Sequence, residues 1–136
     1  MKKKIKEEKR ILIVDENPDI LNYLAEETRK TGLNYQFDKA DTFSLAVDAI
    51  FSGSYDLVML DFPGIRGPYL LNLAFLRALP TALLVSHNFF PLEAQYLPGK
   101  GISGFLSKDN LPEIVPALKN LFSSTNLPDL TGDLWK

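Results

Sequence analysis

Two apolar runs that stop on acidic residues constrain the fold of this chain more than any other feature. The first run, 11–14, is followed by Asp15 and Glu16, and the second, 57–60, is followed by Asp61. Short continuous apolar runs of this kind are typical of buried parallel strands. Open α/β sheets bind ligands at the carboxyl ends of their strands. The sequence therefore predicts three carboxylates at one edge of a sheet.

Three neighbouring carboxylates repel one another unless a cation lies among them. Oxygen ligands with open coordination positions suit Mg²⁺. Asp15, Glu16 and Asp61 are therefore predicted metal ligands. The alternative interpretation is that these acids are only the polar ends of strands.

Strand and helix signals alternate along the chain and predict a parallel α/β sheet with helices on both faces. Pro18 begins the first helix and Gly32 ends it, while Asp41 or Thr42 caps the second helix. Pro116 falls inside the last helix and should distort it. The predicted strands are 11–14, 35–38, 57–61, 81–86 and 102–107, and the predicted helices are 18–31, 43–51, 69–79, 88–101 and 111–122.

Composition favours a single small domain in the cytoplasm. The chain has 136 residues, 46% of them hydrophobic, which suffices for one core. No apolar stretch approaches the roughly 20 residues that span a bilayer. The basic start lacks the apolar segment and cleavage site of a signal peptide. With no cysteine, the chain cannot form disulfides, thiolate nucleophiles or thiolate zinc sites.

Charge divides the chain into a basic arm and an acidic body. The first ten residues hold six Lys/Arg and two Glu, a net of +4, which leaves 9 basic and 15 acidic residues, a net of −6, for the rest. An acidic body does not favour nucleic-acid binding over a broad face. We interpret residues 1–9 as a solvated arm, with contact to nucleic acid or membrane as the minor alternative, 10–122 as the folded domain, and 123–136 as a tail or linker.

Four predicted strands end in residues that together form a recognisable set: Asp15 and Glu16, Asp61, Ser86, and Lys108. This set resembles the receiver domain of bacterial two-component response regulators, over roughly residues 10–122. The string ILIVDENPDI is similar to the family's first strand, DLVMLD to its third and GFLSK to its fifth. The four strings stand in the family's order, and the spacings from Glu16 to Asp61 and from Ser86 to Lys108 also match.

The resemblance implies a flavodoxin-like, doubly wound sheet of five parallel strands in the order 2-1-3-4-5. It also implies that Asp61 accepts a phosphoryl group while Lys108 and Ser86 bind that group. A carboxylate suits this role because it can form an acyl phosphate that divides the transfer into two steps. The Mg²⁺ ligands would be Asp15, Glu16, Asp61 and the backbone carbonyl of Pro63.

The resemblance further implies that phosphorylation switches a protein surface rather than converting a metabolite. Ser86 and Phe105 would be the switch residues, and the fourth helix, fifth strand and fifth helix would form the surface. Alternatively, Ser86 caps a loop and Phe105 is a core or edge aromatic. The implied partners are a sensor histidine kinase or phosphotransfer protein and a downstream output protein or domain, with a homodimer as a further option and no membrane contact.

Several positions depart from the family pattern. The loop after Asp61 is two residues shorter than usual, and Asp109 replaces the usual proline after Lys108. His87 stands where the family has a small residue, so its ring would modulate access to the site unless it points into solvent. These departures motivate an alternative, a degenerate receiver that works as a phosphorylation-independent interaction or dimerisation module. A flavodoxin-type cofactor domain is disfavoured, because acids after the first strand would repel the phosphate of FMN.

Overall fold

The computed structural model describes residues 8–62, 64, 66–86 and 102–124 of the chain. Five parallel strands form one sheet in the order β2-β1-β3-β4-β5. This topology confirms the predicted fold class and strand order. The strands are β1 (Lys9–Val14), β2 (Tyr35–Ala40), β3 (Leu57–Asp61), β4 (Thr81–Val85) and β5 (Ile102–Ser107).

Helices lie on both faces of the sheet and follow the strands as predicted. The described helices are α1 (Pro18–Thr31), α2 (Phe43–Ser52), α3 (Gly67–Leu76) and a C-terminal helix (Ile114–Ser124), which a 3-10 turn (Leu111–Glu113) precedes. The helix predicted over 88–101 lies outside the described residues. None of the described helices is both long and apolar enough to cross a membrane.

Local capping explains where the first two helices begin and end. The side chain of Asn17 accepts a hydrogen bond of 2.9 Å from the backbone N–H of Asp19 at the start of α1. Gly32 ends α1 with φ 76°, a left-handed conformation that glycine adopts without steric cost. Of the two predicted caps for α2, Thr42 is the one whose hydroxyl accepts the N–H of Leu45, at 3.2 Å.

Two predicted helices differ from the observed ones for reasons of backbone geometry. The third begins at Gly67 rather than at residue 69, because Pro68 occupies its first turn, and it ends at Leu76. The last predicted helix opens with the 3-10 turn, so the α-helix proper begins at Ile114. Pro116 therefore lies in the first turn of that helix, where its missing N–H costs little, and the predicted distortion deeper in the helix was wrong.

The strand β5 carries one extra residue relative to its neighbour β4. Thr81 pairs with Ile102, but Ala82 already pairs with Gly104, so Ser103 is left over in the ladder. The register beyond this irregularity is regular and ends with Val85 opposite Ser107. The irregularity therefore lies near the beginning of β5, far from the edge where the strands end.

Apolar side chains fill two cores, one on each face of the sheet. Alternate residues of β1, β3 and β4 point to opposite faces, as the pleat requires, and most residues of these central strands are buried. The core under α2 and α3 includes Leu12, Leu60, Leu70 and Leu83. The core under α1 and the C-terminal helix includes Ile13, Leu24, Met59 and Leu118.

We expect Leu83→Ala to lower the free energy of unfolding by about 2–5 kcal/mol, because it removes a fully buried side chain and leaves a cavity. Urea unfolding followed by far-UV circular dichroism measures this change. Leu45→Ala is the matched control, because Leu45 is half exposed and should cost no more than about 0.5 kcal/mol. Equal losses in both variants would contradict the core described above.

Candidate functional site

The register of the sheet brings Asp15 and Asp61 together at the carboxyl ends of the strands. Val14 is paired with Leu60, so the residues that follow, Asp15 and Asp61, lie side by side. The backbone N–H of Asp15 bonds to Ala40 at 3.1 Å, which fixes Asp15 beside β2 as well. Two of the three acids predicted at this edge are therefore held in place by the backbone pairing of the strands.

Lys108 lies between the two carboxylates. Its backbone N–H donates to the carbonyl of Val85 at 2.8 Å, which fixes it at the end of β5. Its Nζ donates to Asp61 Oδ1 at 3.0 Å and lies 3.2 Å from Asp15 Oδ2. Lys108, Asp61 and Asp15 have side-chain exposures of 24%, 15% and 3%, so the triad is largely shielded from water. Opposite charges attract each other more strongly where little water is present to screen them.

One oxygen of Asp15 has an incomplete set of partners. Oδ1 accepts a hydrogen bond of 2.9 Å from the backbone N–H of Asn17. Oδ2 is buried, and although Lys108 Nζ is nearby, it accepts no hydrogen bond of good geometry within the described part of the chain. Such an oxygen is costly to bury. A divalent cation would satisfy it, so Asp15 and Asp61 fit the oxygen ligands that Mg²⁺ prefers.

Gly64 lies against the second oxygen of Asp61. A Cβ atom at position 64 would stand 2.3 Å from Asp61 Oδ2 and 2.6 Å from Asp61 Cγ. No side chain fits there unless the carboxylate or the loop moves. The backbone of Gly64 therefore lies against the carboxylate, and only glycine at this position leaves the Asp61 side chain where it is observed.

The electrostatics of the triad distinguish Asp61 from an ordinary surface acid. Partial burial raises the pKa of Asp61, and the charges of Asp15 and Glu16 raise it further, while the hydrogen bond from Lys108 works in the opposite direction. Burial favours a lower pKa for Lys108, but the hydrogen bond and charge of Asp61, with Asp15, outweigh it and raise the pKa. Lys108 is thus held as a cation where Asp61 needs one.

The other predicted site residues lie at the same edge but outside the triad. Glu16 is exposed, and Ser86 is half-buried directly after β4. Because Val85 pairs with Ser107, Ser86 and Lys108 leave adjacent strands at the same level. Phe105 is exposed on β5, so it is not a core aromatic. Pro63 and His87 lie outside the described residues, and their predicted roles stay predictions.

Acidic side chains do not gather in a group of three at metal-binding distance within the ranges that the structure describes. The physical reason is that Glu16 lies exposed while Lys108 stands between Asp15 and Asp61. Two further contributors to the site, the backbone N–H of Asn17 and the close approach of Gly64, were not predicted from the sequence. The string after Asp61, with a proline followed by glycine, was the available signal for the second.

Comparison with known proteins gives a consistent result at the level of structure. No protein-family model matches the sequence, and no curated protein matches it significantly. The response regulator TrrA of Thermotoga maritima, solved in complex with Mg²⁺ and BeF, is 31% identical; the alignment covers 83% of this chain and 98% of that one, with a TM-score of 0.64.

Two further solved structures share the fold at lower identity. A CheY-like receiver domain protein of Methanospirillum hungatei is 22% identical, with 88% of this chain and 98% of that one covered and a TM-score of 0.72. NtrX of Brucella abortus is 22% identical with a TM-score of 0.73, but the match covers 94% of this chain and 29% of that longer one. With the sheet order, the strand-end residues and the relation to TrrA in agreement, the chain belongs to the receiver domain family of response regulators.

Proposed function

We propose that this domain accepts a phosphoryl group on Asp61 in a Mg²⁺-dependent reaction and passes the signal on by a change of its surface. The observation that carries the proposal is the position of Lys108 Nζ, 3.0 Å from Asp61 Oδ1 and 3.2 Å from Asp15 Oδ2. A partly buried cation beside a carboxylate neutralises the charge that would otherwise repel an incoming phosphoryl group. The domain would catalyse its own phosphorylation and dephosphorylation and no other reaction.

The transfer uses the Asp61 carboxylate and a phosphodonor in its first step and water in its second. A carboxylate oxygen of Asp61 attacks phosphorus, and the bond from phosphorus to the donor breaks. The electron pair of that bond leaves with acetate from acetyl phosphate, or with the imidazole nitrogen of a phosphohistidine. Attack by water on phosphorus later releases inorganic phosphate and restores the Asp61 carboxylate. Lys108 holds a phosphoryl oxygen in both steps as a point charge.

Asp15 and Asp61 would hold Mg²⁺, with Glu16 and the carbonyl of Pro63 as further ligands. Bound there, Mg²⁺ supplies Lewis-acid stabilisation of the phosphoryl oxygens. The Oδ2 of Asp15 supports this assignment, since it is buried and, beyond its ion pair with Lys108, accepts no hydrogen bond of good geometry within the described residues. The complex of TrrA with Mg²⁺ and BeF supports it by analogy.

Ser86 and Phe105 would change position in response to the phosphoryl group. Ser86 leaves β4 next to Lys108, so its hydroxyl can donate to a phosphoryl oxygen after a small movement. Phe105 is exposed, so an inward rotation of the ring would change the surface around β5. The proposed partners are a histidine kinase or phosphotransfer protein and an output protein or domain. The match to part of the longer NtrX chain supports an output domain in general terms.

Incubation with acetyl phosphate followed by intact mass measurement tests the proposal. We expect the mass increase of one phosphoryl group in the presence of Mg²⁺ and little or none when a chelator is added. If acetyl phosphate, phosphoramidate and carbamoyl phosphate all leave the mass unchanged, the domain is the degenerate receiver, an interaction module that phosphorylation does not control.

We also expect Mg²⁺ to raise the melting temperature of the wild type and to have little effect on Asp15→Asn. A ligand that binds only the folded state stabilises it by about 2.7 kcal/mol at one hundred times its Kd. The measurement is thermal unfolding across a Mg²⁺ titration. Asp48→Asn is the control, because Asp48 is an exposed acid on α2 and should leave the Mg²⁺ response unchanged. Equal responses in wild type and Asp15→Asn would remove Asp15 from the metal site.

A further inference from the structure

An exposed apolar patch lies where α2 and α3 end. We call Phe51, Phe75 and Leu76 the amino-edge patch, because these helices end at the edge where the strands begin. Leu76 is 78% exposed, Phe51 58% and Phe75 45%. Between Gly67 and Leu76, α3 carries no charged residue, and apart from Asn72 its exposed side is mainly apolar. Helices of this kind are normally covered by another part of a protein.

Arg77 joins the two helix ends at this patch. Its Nε donates to the carbonyl of Ile50 at 3.0 Å, and its Nη2 donates to the carbonyl of Gly53 at 3.1 Å. Arg77, the residue after Leu76, therefore links the end of α3 to the end of α2, where Phe51 lies. The Arg77 side chain is exposed and forms no ion pair within the described ranges of the chain. The patch thus combines apolar side chains with a cation available to an acid.

The C-terminal helix ends at the same edge, where the described part of the chain stops. The ring of Phe122 lies 5.4 Å from that of Tyr35, the first residue of β2, and 5.1 Å from the Nζ of Lys9, the first residue of β1. The segment that follows, residues 125–136, is called the tail. Fully extended, its twelve residues reach about 40 Å, about four helix diameters. The tail is therefore long enough to pass under the sheet to the patch.

The tail has the composition that the amino-edge patch requires. Its apolar residues are Leu127, Leu130, Leu134 and Trp135, and its charged side chains are Asp129, Asp133 and Lys136, a net of −1. Apolar groups would cover the exposed patch, and a carboxylate would pair with the guanidinium of Arg77. A second copy of the chain fits less well, because an isologous contact would bring the Arg77 cations of both copies into one interface.

We propose that the tail folds back within one molecule and covers the amino-edge patch, with Trp135 packed against Phe51 and Leu76 and an aspartate paired with Arg77. This inference does not depend on phosphorylation. It assigns the α2 and α3 side of the domain as the surface that binds the tail.

Tryptophan fluorescence of the full chain tests this proposal, because Trp135 is the only tryptophan. In the wild type we expect a blue-shifted emission and weak quenching by acrylamide. Leu76→Glu should shift the emission to that of an exposed indole and increase quenching severalfold. Asn22→Glu is the control; it adds the same charge on an exposed position of α1, on the other face of the sheet, and should change neither reading.

Three outcomes would overturn the proposal. In the first, Trp135 of the wild type is as accessible to acrylamide as free tryptophan. In the second, Trp135 is shielded equally in wild type and Leu76→Glu, which would place the tail elsewhere. In the third, the shielding disappears on dilution together with a dimer seen in sedimentation velocity, which would make the occupant a second copy. Circular dichroism checks the fold of Leu76→Glu, and Phe51→Glu replaces it if that variant unfolds.

Discussion

Asp61→Asn should abolish phosphoryl labelling by acetyl phosphate, while the protein stays folded. The amide cannot attack phosphorus as a carboxylate does, so the acyl phosphate cannot form. The change removes one charge from a site where Asp15 and Asp61 share a single lysine. Intact mass measured over time gives the labelled fraction of each variant, and circular dichroism compares their folds.

Ser86→Ala is the matched comparison for this variant. In the wild type the Ser86 hydroxyl would bind the phosphoryl group without taking part in forming the acyl phosphate. In Ser86→Ala, labelling should therefore persist while the conformational response weakens. Tryptic peptides of the labelled wild type should carry the phosphoryl group on Asp61 alone. Labelling that persists in Asp61→Asn would move the acceptor to another residue and remove the proposed role of Lys108.

Gly64→Ala should slow phosphorylation by about a hundredfold, the cost expected when reacting groups are displaced by about 1 Å. The added Cβ would stand 2.3 Å from Asp61 Oδ2, so the carboxylate or its loop must move. The labelling rate with acetyl phosphate at saturating Mg²⁺ measures the effect.

Gly53→Ala separates this effect from a general loss of stability. Its Cβ would also be crowded, at 2.3 Å from the ring of Tyr55 and 2.8 Å from the carbonyl of Ala49. Gly53 lies after α2, at the opposite edge of the sheet from Asp61. We expect it to lower the melting temperature and leave the labelling rate nearly unchanged. Similar rates for wild type and Gly64→Ala would show that the loop yields without moving the carboxylate.

The sequence predicted the strands well, because a buried parallel strand is read from local composition. The apolar runs that end at Val14 and Leu60 lie within strands of the structure, and β5 has its predicted ends. Helix boundaries were less predictable. At the C-terminal helix a 3-10 turn occupies Leu111–Glu113, and the α-helix that follows buries Ile114 and Leu118 in the core.

The sequence predicted that Asp15, Asp61 and Lys108 meet, but it also placed Glu16 among them, and Glu16 is exposed. Parallel topology alone places Asp15 and Asp61 at one edge, and the family resemblance added Lys108 and Ser86. Whether Lys108 pairs with both acids depends on small differences in distance between side chains at the ends of three strands, which the sequence does not specify. The close approach of Gly64 to Asp61 likewise depends on the path of a loop, and sequence spacing does not determine that path.

The extra residue in β5 decides on which side of the sheet the exposed aromatic lies. Beyond Ser103, Phe105 is paired with Leu83 and Leu106 with Leu84, so Phe105 faces the side of α2 and α3. Had the register continued unbroken from Ile102, Phe105 would stand opposite Leu84 and point toward the C-terminal helix. A shift of one residue in a strand turns every following side chain to the opposite face of the sheet. One small serine therefore selects which half of the molecule a rotation of Phe105 would affect.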